Sequence, residues 1–186
     1  MRKNRPILMA IPIAILAVSF AILSSAGTEE KQIEAKFTAL SNGGNVACFG
    51  PDYIYDMDDS ENLRGSCCGP MSLHRYGEQI EGLKKYAHIG KIPSDPYDIP
   101  AELAKELLGF DRSIKLNPAQ QKTYDDAMKM SDEGGPCCCK CWRWYVYGGL
   151  AKYLITEYNF DAQQIADVWN LSDGCGGEGH ATGMHT

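Results

Sequence analysis

Apolar residues return every three or four positions along much of the chain, which is the spacing of one face of an α-helix. The spacing is clearest between Leu73 and Ala87. Other segments repeat it: 100–109, the stretch after Asn117, 142–158 and the stretch after Asp161. No segment alternates apolar and polar residues over the length of a useful strand. The pattern predicts an all-α fold, a small domain of about five short helices joined by cysteine-rich loops.

Local signals mark where several of these helices begin and end. Asn117 followed by Pro118 is typical of an N-cap residue and a first-turn proline. Asp161, with Gln164 three positions later, predicts a capping box. We expect Gly109 to end the helix that opens at Pro100, because glycine is common just after the last helical turn.

The N-terminus has the pattern of a segment that enters a membrane. Arg2, Lys3 and Arg5 precede an uncharged, mostly apolar run over residues 6–23. A bilayer-spanning helix needs about 20 such residues, whereas the apolar core of a signal peptide usually has about 7–15. Residues 1–26 are therefore a cleaved signal peptide or an uncleaved transmembrane anchor. Both alternatives make the membrane a partner and place the rest of the chain outside the cytoplasm, because the basic residues stay inside.

The remaining chain divides by composition into three parts. Residues 27–66 predict a stalk and an acidic loop, residues 67–179 a cysteine-rich helical domain, and residues 180–186 a flexible tail. The acidic stretch from Asp52 to Glu61 lacks the glycine and the spacing of a calcium-binding loop, so we interpret it as a solvated loop. The tail carries His180, Met184 and His185, which are either incidental or suited to copper.

Charge argues against a nucleic acid as partner. The first 26 residues hold three of the 18 basic side chains and none of the 24 acidic ones. The rest of the chain therefore has 15 basic against 24 acidic side chains, a net charge of −9. Binding to phosphates requires a basic surface. No catalytic triad, phosphate-binding loop or zinc-protease motif is present, so the sequence names no reaction and favours a protein that is not an enzyme.

The most informative stretch follows Pro136, where four of five consecutive residues are cysteines. Adjacent cysteines form strained disulfides, so these four cannot simply pair with one another. In an extended segment, Cys137, Cys139 and Cys141 point to one side and Cys138 to the other. In a helix, Cys141 would instead share a face with Cys137 and Cys138. The preceding Gly-Gly-Pro favours the extended alternative. Cysteines occur at eight positions: 48, 67, 68, 137, 138, 139, 141 and 175.

Three thiolates on one side of a turn suit a thiophilic metal ion, Cu(I) or Zn(II). Cys137, Cys139 and Cys141 are the first candidates as ligands. The helix that begins near Trp142 is expected to lower the pKa of these thiols, because a helix N-terminus favours negative charge. The candidates to complete the site are Cys67, Cys68 and Cys175.

Two other uses of the cysteines stay open. All eight can form disulfides that staple a structural or interaction module, since an even count in an oxidising compartment is typical of a disulfide framework. Alternatively, Cys138 and Cys141 have the two-residue spacing of a thiol oxidoreductase, although no βαβ pattern surrounds them. None of the alternatives identifies a protein partner.

The sequence from Pro136 to Cys141 resembles a family of exported proteins named for a Pro-Cys-Tyr-Cys-Gly-Cys motif. The proline and three alternating cysteines match, whereas Cys138 and Lys140 stand where the motif has tyrosine and glycine. The similarity covers roughly the last 50 residues. Bacterial members resemble lipoproteins, and no cysteine closely follows the apolar segment of this chain. The family has no established biochemical function, so the resemblance implies export and a cysteine cluster.

Overall fold

The computed structural model of the chain describes residues 13–176, with side chains from residue 27 onward. This part is mostly helical, which confirms the predicted class but with more helices than expected. It contains seven α-helices, one 3₁₀ turn at Lys84–Tyr86 and two short strands. The helices are α1 Ile13–Asn42, α2 Asp52–Asp56, α3 Leu73–Leu83, α4 Ala101–Ser113, α5 Pro118–Met130, α6 Trp142–Glu157 and α7 Ala162–Leu171, and the strands are β1 Asn62–Arg64 and β2 Asp98–Pro100.

The contacts divide the chain between Lys36 and Phe37, within α1. The first part of the predicted signal or anchor, residues 1–12, lies outside the described residues, as do the side chains of residues 13–26. No helix in the described part is both long enough and apolar enough to cross a bilayer. The membrane segment therefore stays a prediction.

The capping boxes predicted for α5 and α7 are both present. The Asn117 side chain accepts a hydrogen bond from the Gln120 amide at 2.9 Å, and the Gln120 side chain accepts one from the Asn117 amide at 3.0 Å. Asp161 and Gln164 repeat this exchange at 2.9 and 3.0 Å. Each box satisfies backbone donors that a helix N-terminus leaves free, so these two helix starts can be read from sequence.

The expected end of α4 at Gly109 is wrong, because the helix continues to Ser113. Contacts with α6 explain the extension. The Phe110 ring stacks on Tyr153 with centroids 4.9 Å apart. The Lys152 ammonium donates to the Asp111 carbonyl at 2.6 Å and to its carboxylate at 2.7 Å. Tertiary packing thus outweighs the local preference of glycine, which is the usual limit of propensity arguments.

The two strands pair antiparallel and join distant parts of the chain. Leu63 lies opposite Ile99, and both side chains are fully buried. With three residues each, the strands are too short for their alternation to be recognised in sequence. Their pairing brings the segment before Cys67 against the segment before α4.

The acidic stretch is more than a solvated loop. It contains α2, whose Ile54 is fully buried in the same core as Leu63. Its acids face outward, and Asp59 accepts a hydrogen bond from Lys105 of α4 at 2.7 Å. The interpretation of residues 27–66 as a stalk and loop therefore misses the buried apolar positions within this segment.

Helix α6 lies at the centre of the core and packs closely on α4. Its inward side chains, such as Trp142, Val146 and Leu150, are fully buried. At Gly149 the α4 backbone approaches so closely that an added Cβ would lie 1.9 Å from the Leu107 carbonyl oxygen. Only a residue without a side chain allows this approach.

We expect Gly149→Ala to lower the free energy of unfolding by about 1–3 kcal/mol or more, because one helix must move to relieve the overlap. Gly109→Ala is the matched control, since a Cβ there meets nothing within 4 Å. Alanine at an open helical position should be neutral or stabilise by up to about 1 kcal/mol. Urea denaturation of both variants measures the difference, and equal midpoints would contradict the close packing.

Candidate metal centre

Four separate segments bring cysteines to the region before α6. Cys48 follows α1, Cys67 and Cys68 precede α3, four cysteines lie in the turn that ends at Cys141, and Cys175 follows α7. Each group lies in a loop, where the backbone is free to turn sulfurs toward a common point. The arrangement is of the kind expected for a ligand site placed on loops by a rigid helical scaffold.

Backbone hydrogen bonds hold these loops together. The amides of Cys67 and Cys68 donate to the carbonyls of Gly174 and Cys175, both at 3.2 Å, and the Gly69 amide donates to the Cys175 carbonyl at 2.9 Å. The Trp142 amide donates to the Phe49 carbonyl at 2.8 Å, which fixes the Cys48 segment to the start of α6. The relative positions of the sulfurs therefore depend on main-chain contacts between the loops.

The sulfur atoms form close contacts across these loops. Cys137 Sγ lies 3.6 Å from Cys141 Sγ and 3.3 Å from Cys175 Sγ. Cys138 Sγ also lies 3.3 Å from Cys175 Sγ. On the exposed side, Cys48 Sγ and Cys68 Sγ are 2.8 Å apart. All eight cysteines are free, without a disulfide bond.

Three trios of sulfurs have the spacing that a metal ion requires. Within each trio all sulfurs lie within 4.8 Å of one another. Ligands at about 2.3 Å from one ion, the usual zinc–sulfur distance, are about 4 Å apart, so small movements would complete each set. Every donor is a thiol, which selects soft or borderline ions over Mg²⁺ or Ca²⁺. The trios are Cys137, Cys139 and Cys141; Cys48, Cys68 and Cys139; and Cys68, Cys138 and Cys175.

The environment raises the pKa of most of these thiols, contrary to the expected effect of the α6 N-terminus. Burial raises the pKa of Cys138 to about 12. A hydrogen bond with Cys137, together with burial, raises the pKa of Cys141 to about 12. The sulfurs are crowded among groups of like charge, and this repulsion adds to desolvation. A bound cation would therefore have to displace protons, so metal binding here is coupled to proton release.

Cys139 is the exception. Burial acts to raise its pKa, but hydrogen bonds from the Cys141 thiol and amide outweigh burial and lower it. Its neighbours Cys48 and Cys138 add further hydrogen bonds. Cys139 is thus the thiol most ready to bind a first metal ion as thiolate.

A buried arginine lies beside the cluster. The Arg143 guanidinium is 1% exposed and donates to Cys67 Sγ at 3.1 Å. It also donates to the carbonyls of Pro96 at 2.6 Å and Gly65 at 3.1 Å. A Cβ at Gly174 would lie 2.2 Å from its Cζ, so this glycine leaves the space that the guanidinium fills.

Among the described residues, no carboxylate forms an ion pair with Arg143. The guanidinium lies over the Trp142 ring, 4.5 Å from its centroid, in a cation–π contact. A buried charge normally has a counter-charge. The Cys67 thiol, which the guanidinium contacts, is a group that can become negative.

The structure brings together most of the residues that the sequence singles out. Cys137, Cys139 and Cys141 share one trio, and α6 begins only at Trp142, which excludes the helical alternative for this segment. Cys68 and Cys175 belong to another trio, whereas Cys67 lies outside all three and contacts Arg143.

Cys48 and Cys138 were missed as candidate ligands. Cys48 meets Cys68 across 20 residues, and no local spacing indicates that contact. Cys138 was expected to point away from the trio, but its sulfur contacts the same Cys175 sulfur as Cys137 does, both at 3.3 Å, and it joins a second trio. Four cysteines within five residues could have suggested two ligand sets. The tail residues His180, Met184 and His185 lie outside the described part of the chain.

Comparison of the chain with protein-family models, with curated proteins and with solved structures finds no match. The resemblance to the exported family therefore stays a hypothesis. The functional argument rests on the geometry of the cysteines.

Proposed function

We propose that the protein binds a thiophilic metal ion, Cu(I) or Zn(II), through its clustered cysteines and is not an enzyme. The observation that carries the proposal is the set of three sulfur trios, each within 4.8 Å. Thiolates bind such ions more tightly than they bind hard cations. Cys137, Cys139 and Cys141 are the primary ligands, with Cys68 and Cys175 in the adjoining trio.

We further propose that the protein acts outside the cytoplasm, held at or exported through a membrane by residues 1–26. The basic residues followed by an apolar run support this orientation. The partial Pro-Cys-x-Cys-x-Cys resemblance agrees with export. Alkaline phosphatase fused after Thr186 should be active, because this reporter matures only outside the cytoplasm. An inactive alkaline phosphatase fusion, together with an active fusion to a reporter that works only in the cytoplasm, would contradict this orientation.

Elemental analysis combined with a thiol count tests metal binding. The full chain is purified anaerobically without added reductant and dialysed against metal-free buffer. We expect copper or zinc to remain at one or more equivalents per chain, and the cysteines to react as thiols only after a chelator removes the metal. Protein that contains neither metal, with all eight cysteines oxidised, would refute the proposal.

The second candidate is a structural or interaction module stapled by disulfides. The contact of 2.8 Å between the Cys48 and Cys68 sulfurs favours this alternative, because only a small movement separates the pair from a bond. The same thiol count decides between the two candidates. A thiol oxidoreductase that uses Cys138 and Cys141 gains no such support, because these sulfurs contact Cys175 and Cys137 respectively.

A further inference from the structure

The three sulfur trios are not separate sites. The Cys139 sulfur belongs to two of them, and the Cys68 sulfur also belongs to two. Cys139 joins the trio that contains Cys137 and Cys141 to the trio that contains Cys48. Cys68 joins the Cys48 trio to the trio that contains Cys175. The 3.3 Å contact between the Cys137 and Cys175 sulfurs closes the remaining side. Seven cysteines thus form one continuous ring of sulfurs.

We propose that this ring binds three Cu(I) ions as a single thiolate cluster, in which the Cys68 and Cys139 sulfurs each bridge two ions. The proposal rests on the proposed function and specifies the metal and the number of ions. A thiolate sulfur has several lone pairs and can bind two metal ions at once. Each ion then has the three sulfurs of one trio as ligands.

The number of donors favours Cu(I) over Zn(II). Structural zinc takes four ligands in a tetrahedron, whereas the shared sulfurs give each ion only three. With four ligands each, three zinc ions would need about twelve metal–sulfur bonds, whereas the three trios supply nine. Cu(I) is soft and accepts three thiolates. Sharing of sulfurs is therefore what allows several ions to bind here.

A buried positive charge lies beside the ring, which agrees with an anionic copper–thiolate cluster. Loading transfers the seven thiol protons to solvent and forms nine copper–sulfur bonds, three for each ion, with no change in oxidation state. Seven thiolates with three Cu(I) ions have a net charge of −4. The buried Arg143 contacts Cys67, the neighbour of Cys68, and supplies positive charge on the protein side.

The exposure of the ligands indicates where ions enter. Cys48 and Cys68 are exposed, whereas Cys137, Cys141 and Cys175 are buried. Ions therefore reach the buried sulfurs by exchange through the Cys48 and Cys68 side.

An anaerobic titration of the full chain with Cu(I), in competition with a chromophoric Cu(I) chelator, tests the proposal. We expect the chain to retain three Cu(I) ions, with metal–metal scattering in the X-ray absorption spectrum. Cys48→Ser removes a sulfur of one trio and should leave two ions. Cys68→Ser removes a bridging sulfur and should leave one ion. The two variants are matched, because both side chains are exposed and their sulfurs touch.

The possible failures separate the two proposals. Loss of one ion from both variants would overturn the bridging role of Cys68. A single copper or zinc ion per chain without metal–metal scattering would overturn the cluster and leave the proposed function intact. A wild-type chain that retains neither metal would refute both. Circular dichroism of each variant in the metal-free state verifies that the fold is unchanged.

Discussion

Cys139→Ser is expected to remove most of the stability that metal gives to the fold, while the metal-free protein changes little. Cys139 belongs to two of the three trios, and its thiol has a lowered pKa. A ligand that binds only the native state at 1,000 times its dissociation constant stabilises by about 4 kcal/mol. Cu(I) should therefore raise the unfolding temperature of the wild type by a large amount and that of the variant by a small amount.

Cys138→Ser is the matched control for this experiment. Both side chains are partly buried in the same turn, but Cys138 belongs to one trio only. The Cys138→Ser variant should retain most of the increase in unfolding temperature that metal produces. If the two variants lose equal amounts of metal-dependent stability, the assignment of Cys139 to two trios is wrong. If metal leaves the unfolding temperature of the wild type and of both variants unchanged, the cysteines do not form a metal site.

We expect Arg143→Met to lower the unfolding free energy of the metal-free protein by about 2–6 kcal/mol, since each of two buried carbonyls left without a donor costs about 1–3 kcal/mol. The substitution leaves the Pro96 and Gly65 carbonyls without their donor, as well as the Cys67 sulfur. It also removes the only positive charge that touches Cys67 among the described residues. Denaturant unfolding measures the loss.

Arg143→Lys keeps the charge but not the planar fork that reaches three acceptors, so it should recover only part of the stability. If the guanidinium balances an anionic cluster, the loss in Arg143→Met will be greater in metal-loaded than in metal-free protein. Equal losses in both states would limit Arg143 to holding the loops together. If Arg143→Met has the same unfolding free energy as the wild type, Arg143 does not stabilise the fold.

The helices that could be predicted are those whose start or face is encoded locally. Asn117 and Asp161 cap their helices through residues three positions away, so the information lies within one turn. The end of α4 could not be predicted, because Phe110 and Asp111 are held by side chains of α6 about 40 residues later. The strands β1 and β2 likewise depend on a partner, and three residues carry too little pattern.

Some features of the candidate site could likewise be predicted from the sequence, and others could not. The alternation of Cys137, Cys139 and Cys141 is a property of five consecutive residues and could be read directly. The meeting of Cys48 with Cys68 depends on the whole fold, and no sequence spacing encodes it. The hydrogen bonds of Arg143 were also not predictable, because its acceptors are backbone carbonyls of two loops distant in sequence.

The hydrogen bonds that hold the Cys67 loop against Gly174 and Cys175 also set the order of events during biosynthesis. They join residues more than 100 positions apart, so they form only after α7 has been synthesised. A growing chain that already contains the cysteines from 48 to 141 still lacks the segment against which two of them are positioned. The proposed copper ring can therefore assemble only after Cys175 has been synthesised, and a chain that ends before Gly174 will present its thiols without an assembled site.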